Sequence, residues 1–467
     1  MNQKLKNDLE NLLSQKILPI EINHEKIEKI MNKASEKKCW VIAFVVGTKP
    51  CFNKIYGSLT QYSKRDMPFF VINANQHYDT ELTHMANEFG INQYVAVNLN
   101  IRGNLVQKIN ELNIKTIKLA TYLKSKWPKV YTVPVVLGDT IICPTVSLAW
   151  MFTTQQKAIH LEAGLRSMSP IHFNHMKPNI NFNDFIQQQI NGEWQIVRNE
   201  PYPEQWNTFV TSASCDYLLA PLTINKKHLI NEGYNKKYIF TTGGLVVDAI
   251  NMAKKMITKK RQIFDLYPQL KYNKWVRIDI HRKENVTTSR FLTIFSAIEN
   301  LVKSGICVNL VLMNTFKESI KEFKLEKKLA KLKKYKNFLA TTVWPSYSDV
   351  YDFYTSKNFI AAITDSGGVQ EDMNIIGKPC ITIRFCTDRP ETVKNNTGNI
   401  LVPPIDSSFL TKMISKILSD TSLLYTMQRN KKIYGHNTGT KVATILEKIA
   451  TTNKPPFKWS NDVLNES

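Results

Sequence analysis

Paired cysteines are what this chain most plainly lacks. Its seven cysteines, at positions 39, 51, 143, 215, 307, 380 and 386, are odd in number, scattered, and include no CxxC pair. That spacing argues against a structural zinc and against a disulfide framework, and it points to a reducing interior. The start, Met1-Asn2-Gln3-Lys4-Leu5-Lys6-Asn7-Asp8, is followed by no apolar core, so no secretory signal is expected. An unbroken membrane-length run is also missing. The most apolar stretch, 131–152, contains Gly138, Asp139 and Pro144 and reads as strand, turn and buried helix. The expected location is the cytoplasm. Acidic charge is scarce too: 39 Asp+Glu stand against 62 Lys+Arg, a net charge of +23. Such an excess suits nucleic acid, an anionic membrane or an anionic small substrate. No zinc-finger spacing, aromatic RNA-binding strand or basic zipper accompanies it. Nucleic acid and membrane are therefore not the expected partners, and the Lys-rich stretch 321–336 reads as a solvated helix face.

What is present is a long, well-patterned α/β chain. At 467 residues it exceeds what one core organises, and 43% hydrophobic with 10% aromatic content fills two ordinary cores. Val41-Ile42-Ala43-Phe44-Val45-Val46 is a continuous apolar run suited to a buried parallel strand. Similar runs recur at 69–72, 94–98, 129–137, 157–161, 217–220, 238–242, 276–280, 308–313, 338–343, 359–364 and 380–384. Helical patterns such as 103–126 and 291–303 lie between many of them, which predicts doubly wound parallel sheets. Residues 1–38 read as an N-terminal helical extension, 39–235 as a first Rossmann-like domain, and a second begins near 236. The segment 168–202, rich in Asn, Gln, His and aromatics, interrupts the rhythm of the first as an insertion, either a flap or a surface elaboration.

Several strand ends carry chemistry. Thr364-Asp365-Ser366-Gly367-Gly368-Val369-Gln370-Glu371 follows an apolar run and opens a helix, an arrangement that aims backbone N–H groups and a positive helix end at an anion. Gly47-Thr48-Lys49-Pro50, with Lys54 one turn on, is a second strand-to-helix turn bearing cations. Carboxylates end two neighbouring strands in Gly138-Asp139-Thr140 and His160-Leu161-Glu162-Ala163-Gly164-Leu165-Arg166. His281-Arg282 and Arg389 add groups suited to a diphosphate. Each alone is equally explained by a cap or an ion pair.

Taken in order with Gln76-His77-Tyr78-Asp79, Pro203-Glu204, Thr242-Gly243, His281-Arg282-Lys283-Glu284-Asn285 and Arg389-Pro390-Glu391, these pieces resemble the non-hydrolysing UDP-N-acetylglucosamine 2-epimerase family from about residue 41 to 450. The resemblance implies a glycosyltransferase-B-like fold of two Rossmann-like domains with the active site in the cleft between them. The second domain would run over 236–434, and 435–467 would be a helix returning to the first domain, plus a tail. It implies no metal, no cofactor and a homodimer acting on a UDP-sugar for cell-surface polysaccharide. By position, Asp139, Glu162 and Glu204 fall on the family's catalytic carboxylates, with His281 beside them. Lys49, Lys54, Arg282, Phe353, Ser366, Gly367, Gly368, Asp372 and Arg389 fall on substrate contacts, and Gln76 and His77 on a regulatory UDP-sugar site. The chain departs from the family at Lys49, Cys51, Gln205, Thr208 and Asp372, and in the length of chain between Glu162 and Glu204.

The implied reaction expels UDP while a base removes the C2 proton. A bound 2-acetamidoglucal results, to which UDP re-adds with a proton delivered to the other face. That route needs a preorganised cationic diphosphate site and acid/base groups reaching both faces of C2. Four alternatives stay open on the sequence: a hydrolysing epimerase releasing N-acetylmannosamine and UDP, an epimerase of a 2,3-diacetamido UDP-sugar, a glycosyltransferase, and a non-catalytic UDP-sugar sensor.

Overall fold

The apolar runs become the strands of two parallel sheets. The computed structural model describes residues 18–74, 87–256, 262–344 and 346–452, apart from the Lys49 side chain. These group into two compact units, one made of the described residues up to Gly164, Trp206–Leu245 and those from Asn437 onward, the other of Leu165–Gln205 and Val246–His436.

The first unit holds β1 (Glu21–Ile22), β2 (Val41–Val46), β3 (Phe69–Asn73), β4 (Val95–Asn98), β5 (Thr132–Leu137), β6 (Ala158–Leu161), β9 (Cys215–Ala220) and β10 (Ile239–Thr241). Their order is β1-β4-β3-β2-β5-β6-β9-β10. The pairings are parallel except that of β1 with β4. β2 and β5 are buried along their whole length, as strands covered on both faces must be. The helix His24–Lys37 is part of this core rather than a separate extension. Ile27, Met31 and Ala34, spaced to share one face, are buried in the same cluster as Val41, Phe70 and Val97. The helix Thr438–Ala450 also belongs to this unit. It crosses the helix Lys49–Ser63 with Gly439 against the backbone of Gly57, Arg65 pairs with Glu447, and the Trp40 N–H donates to Ala450 O at 2.8 Å.

The second unit holds β11 (Trp275–Asp279), β12 (Cys307–Val311), β13 (Phe338–Thr341), β14 (Phe359–Thr364), β15 (Cys380–Thr382) and β16 (Asn399–Leu401). They are ordered β13-β12-β11-β14-β15-β16 and are parallel throughout. The segment 168–202, read from the sequence as an insertion in the first domain, groups with this second unit. It forms the antiparallel pair β7 (Met168–Pro170) and β8 (Trp194–Ile196) around the helix Phe182–Asn191. Phe185 and Ile186 join the second core. The Gln189 amide closes the edge of β16, accepting from Leu401 N–H at 2.9 Å and donating to Leu401 O at 3.0 Å. Trp194 packs on Val393 and Leu401. Contacts of this kind, made across some two hundred residues of sequence, leave no local signal.

Two stability predictions follow from these contacts. A Cβ on Gly439 would lie 2.4 Å from backbone atoms of Gly57, which cannot yield. Gly439→Ala should therefore cost about 1–3 kcal/mol despite its better helix propensity; an unchanged urea midpoint would show the helix crossing to be looser than this. In the second unit, Glu391 accepts from the Tyr434 hydroxyl at 2.8 Å. Burial pushes its carboxyl up to about 7 from an ordinary 4.5, against the downward pull of Arg389 and Tyr434. The folded state therefore holds a proton that the unfolded chain has released, and stability is lost as pH rises through that interval. Glu391→Gln removes the slope, so its Tm relative to the parent should improve steadily between pH 5 and pH 8; parallel curves would contradict this.

Candidate active site

In an open parallel sheet, loops after neighbouring strands diverge where the strand order reverses, and ligands bind at that crevice. In the second unit the reversal lies between β11 and β14. The loop after β11 carries Ile280-His281-Arg282, and the loop after β14 carries Asp365-Ser366-Gly367. Asp365, fully buried, ties them together. Its carboxylate accepts from His281 N–H at 3.0 Å, Arg282 N–H at 3.0 Å and Asn285 Nδ2 at 3.0 Å. His281 Nδ1 lies 3.0 Å from Asp279 Oδ1 and 3.5 Å from Asp365 Oδ1. Burial by itself would favour neutral imidazole. The two carboxylates outweigh it and raise the pKa of the ring above its ordinary value.

The helix Gly367–Ile376 begins at this crevice with Ser366 as N-cap, whose side chain caps none of the first-turn N–H groups. Gly367 is required there, because an added Cβ would sit 2.5 Å from Asp388 Oδ2. Around that carboxylate gather Arg384 Nη1 at 2.6 Å, Arg389 Nη1 at 2.9 Å and Arg282 Nη2 at 3.9 Å. Arg282 Nη1 also reaches Glu204 Oε1 at 3.0 Å. Within one unit, then, the sequence-predicted residues Glu204, His281, Arg282, Ser366, Gly367, Gly368 and Arg389 fall in or beside one cluster of alternating charge.

In the first unit the order reverses between β2 and β5. The loops there carry Gly47-Thr48 and Gly138-Asp139, and Glu162 follows the adjacent β6. Gly138 has φ +79°, and a Cβ there would lie 3.2 Å from Glu162 Oε2. Glu162 itself adopts φ +59°, a costly conformation for a residue with a side chain. It is buried, and its Oε2 takes Lys54 Nζ at 2.7 Å. His160 Nε2 is 2.8 Å from Gly138 O, and Asn207 Nδ2 donates to Asp139 O at 2.8 Å. The backbone of Asp139 is thus held from both sides. Lys54 and Glu162 are paired, and Asp139 follows Gly138 in the loop after β5. Cys51, near Thr48 at 3.1 Å, is buried, and that burial pushes its thiol up and keeps it unreactive.

Other expected positions are placed differently. Phe353 offers no face to a uracil: it is fully enclosed among Phe264, Trp344 and Phe359 as a core ring. An aromatic on a helix near a strand end fits either role in sequence, and here packing takes it. Asp372 accepts the Tyr347 hydroxyl at 2.9 Å. Arg389 is buried, its guanidinium held by Glu371 and Asp388, so it shapes the cluster from within. Gln76, His77 and the Lys49 side chain lie outside the described residues. Sequence reasoning passed over Asp279, Glu371, Arg384 and Asp388 as site residues. The run Arg384…Asp388-Arg389, charges of both signs directly after a buried strand, was the available signal.

Comparison with known proteins identifies relatives of the whole chain. The sequence profile described as UDP-N-acetylglucosamine 2-epimerase matches residues 197–447. A protein of Methanocaldococcus jannaschii named UDP-N-acetylglucosamine 2-epimerase is 30% identical over 370 residues, covering 77% of this chain and 88% of its own. One of that name from Salmonella borreze is 27% identical over 309 residues, 65% of this chain and 72% of its own. The crystal structure of the M. jannaschii enzyme in complex with UDP-GlcNAc and UDP superposes with TM-score 0.70 at 26% identity, covering 87% of this chain and 99% of that one. The Neisseria meningitidis enzyme bound to UDP-GlcNAc gives TM-score 0.69 at 22% identity, a likeness of fold, covering 88% and 99%. The parallel-sheet units are those of the glycosyltransferase-B-like epimerase fold. By its profile match and its similarity along most of its length, this chain belongs to the UDP-N-acetylglucosamine 2-epimerase family.

Proposed function

We propose that the protein interconverts UDP-N-acetylglucosamine and UDP-N-acetylmannosamine by eliminating and re-adding UDP. The observation that carries this reading is the 3.0 Å contact between Glu204 Oε1 and Arg282 Nη1, with Arg282 standing at the loop that faces the Ser366-Gly367-Gly368 turn. Elimination has two simultaneous needs, removal of a proton and stabilisation of a departing diphosphate. A guanidinium shared between a carboxylate and an anion turn serves both.

In this reading the second unit holds the UDP. First-turn N–H groups of the helix Gly367–Ile376, Arg282 and protonated His281 receive the diphosphate, and the cation of His281 stabilises the leaving group as the C1–O bond breaks. Asp139, Glu162 and Glu204 are the acid/base set. One takes the C2 proton, and another returns a proton to the opposite face of the glucal. Lys54, paired with Glu162, holds that carboxylate in one orientation. No group of three or more His, Cys, Asp or Glu suited to a metal occurs among the described residues, and the proposed route calls on none. We read the assembly as a homodimer and the location as cytoplasmic; no helix among the described residues is long and apolar enough to cross a membrane.

Glu204→Gln and Asp139→Asn should each lower turnover by roughly two orders of magnitude or more, the scale of acid/base catalysis, with the fold retained by circular dichroism. Near-parental turnover in both would remove them from the chemistry. Proton NMR of UDP-N-acetylglucosamine incubated with the protein in D2O should show the mannosamine epimer with deuterium at C2. Accumulation of free UDP with N-acetylmannosamine would make the enzyme a hydrolysing one, and binding without turnover would make it a sensor.

A further inference from the structure

Asp388 lies among three guanidinia in the second unit, and the reaction as proposed gives it no task. It is buried, and a Cβ added to Gly367 would lie 2.5 Å from its Oδ2. It therefore lies against the first residue of the helix whose N–H groups are read as the diphosphate site. It makes contacts with three guanidinia: Arg384 at 2.6 Å, Arg389 at 2.9 Å and Arg282 at 3.9 Å. Arg384 and Arg389 are themselves buried, and Arg389 is also held by Glu371. Arg282 continues outward, to Glu204.

We propose that Asp388 is a resident counter-anion that positions Arg282 between Glu204 and the diphosphate turn and weakens the grip of that turn on UDP. Three guanidinia and a helix N-terminus without an internal anion would hold a diphosphate so firmly that the leaving group, once expelled, would be slow to move back onto the glucal. A carboxylate fixed among them lowers the local positive potential while keeping the cations in register. Its own ionised state is secure: burial opposes it, but Arg389, Arg384 and Arg282 together hold the carboxyl well below the usual carboxylate range. Asp388 is thus a positioning residue, acting through Arg282 and through charge rather than by touching the sugar.

The inference rests on the UDP-sugar reading of this site, and the test separates the two. UDP binding is measured by calorimetry, and turnover with UDP-N-acetylglucosamine by NMR, for the parent, Asp388→Asn and Asp388→Glu. A parent that neither binds UDP nor turns over would sink the functional reading itself. With an active parent, Asp388→Asn should bind UDP about tenfold more tightly, as loss of one partly screened charge predicts, while kcat falls at least tenfold. A merely structural role would weaken binding and turnover together, and that result would overturn the proposal, as would an unchanged kcat. Should Asp388→Asn fail to fold, Asp388→Glu decides. Its charge is retained, so its Kd for UDP should stay within threefold of the parent, and a larger change in either direction overturns the inference.

Discussion

The buried carboxylate of Asp365 is the constraint on which the second unit's site depends. An ionised group without water is tolerated only when donors surround it, and removing its partners leaves a cost of several kcal/mol. Its donors come from the other loop of the crevice: two consecutive backbone N–H groups, at His281 and Arg282, and the amide of Asn285. The loops after β11 and β14 cannot part without stranding that charge. The His281 ring, the Arg282 side chain and the start of the helix Gly367–Ile376 therefore keep fixed relative positions, which is what preorganised electrostatic catalysis requires.

From that fixed point charge alternates outward. Glu204, Arg282, Asp388, Arg389 and Glu371 form a chain in which each carboxylate meets a guanidinium. Planar guanidinium suits this task better than a lysine ammonium, because one Arg presents separate N–H groups to two acceptors. The first unit uses a simpler device, one Lys54–Glu162 pair beside a strained turn. The contrast fits the proposed division of labour: holding a diphosphate takes several cations, whereas proton transfer takes a carboxylate whose orientation is set.

Much of this was legible in the sequence because buried parallel strands are written as continuous apolar runs. Twelve of the strands, from β2 through β15 apart from the short β7–β8 pair, coincide with runs such as Val41–Val46 and Phe359–Thr364. β1, β7, β8 and β16 escaped because they are short and sit in no longer apolar run. The strand-end carboxylates and the Ser-Gly-Gly turn were legible for the same reason, since a polar residue directly after an apolar run lies at the sheet's carboxyl edge. Phe353 misled because a buried ring and a ligand-stacking ring look alike in sequence. Asp388 and Arg384 were missed because their meaning is collective. Each is an ordinary charge until Gly367 and Arg282 are seen beside it.

The segment 168–202 shows how an elaboration becomes part of a site. Besides its contacts with β16, it is attached to the few residues that precede Asp388. Met168 and Thr387 exchange backbone hydrogen bonds of 2.8 Å, Ser169 Oγ donates to Phe385 O at 2.7 Å, and Cys386 Sγ donates to Glu200 O at 3.5 Å. Arg290, also over the ring of Phe385, pairs with Glu200 at 2.8 Å. Glu204 follows shortly after this segment and groups in the same unit as the loop with its arginines. We read the segment as a brace, whose cost in ordered chain is offset by holding the charges of the site in register.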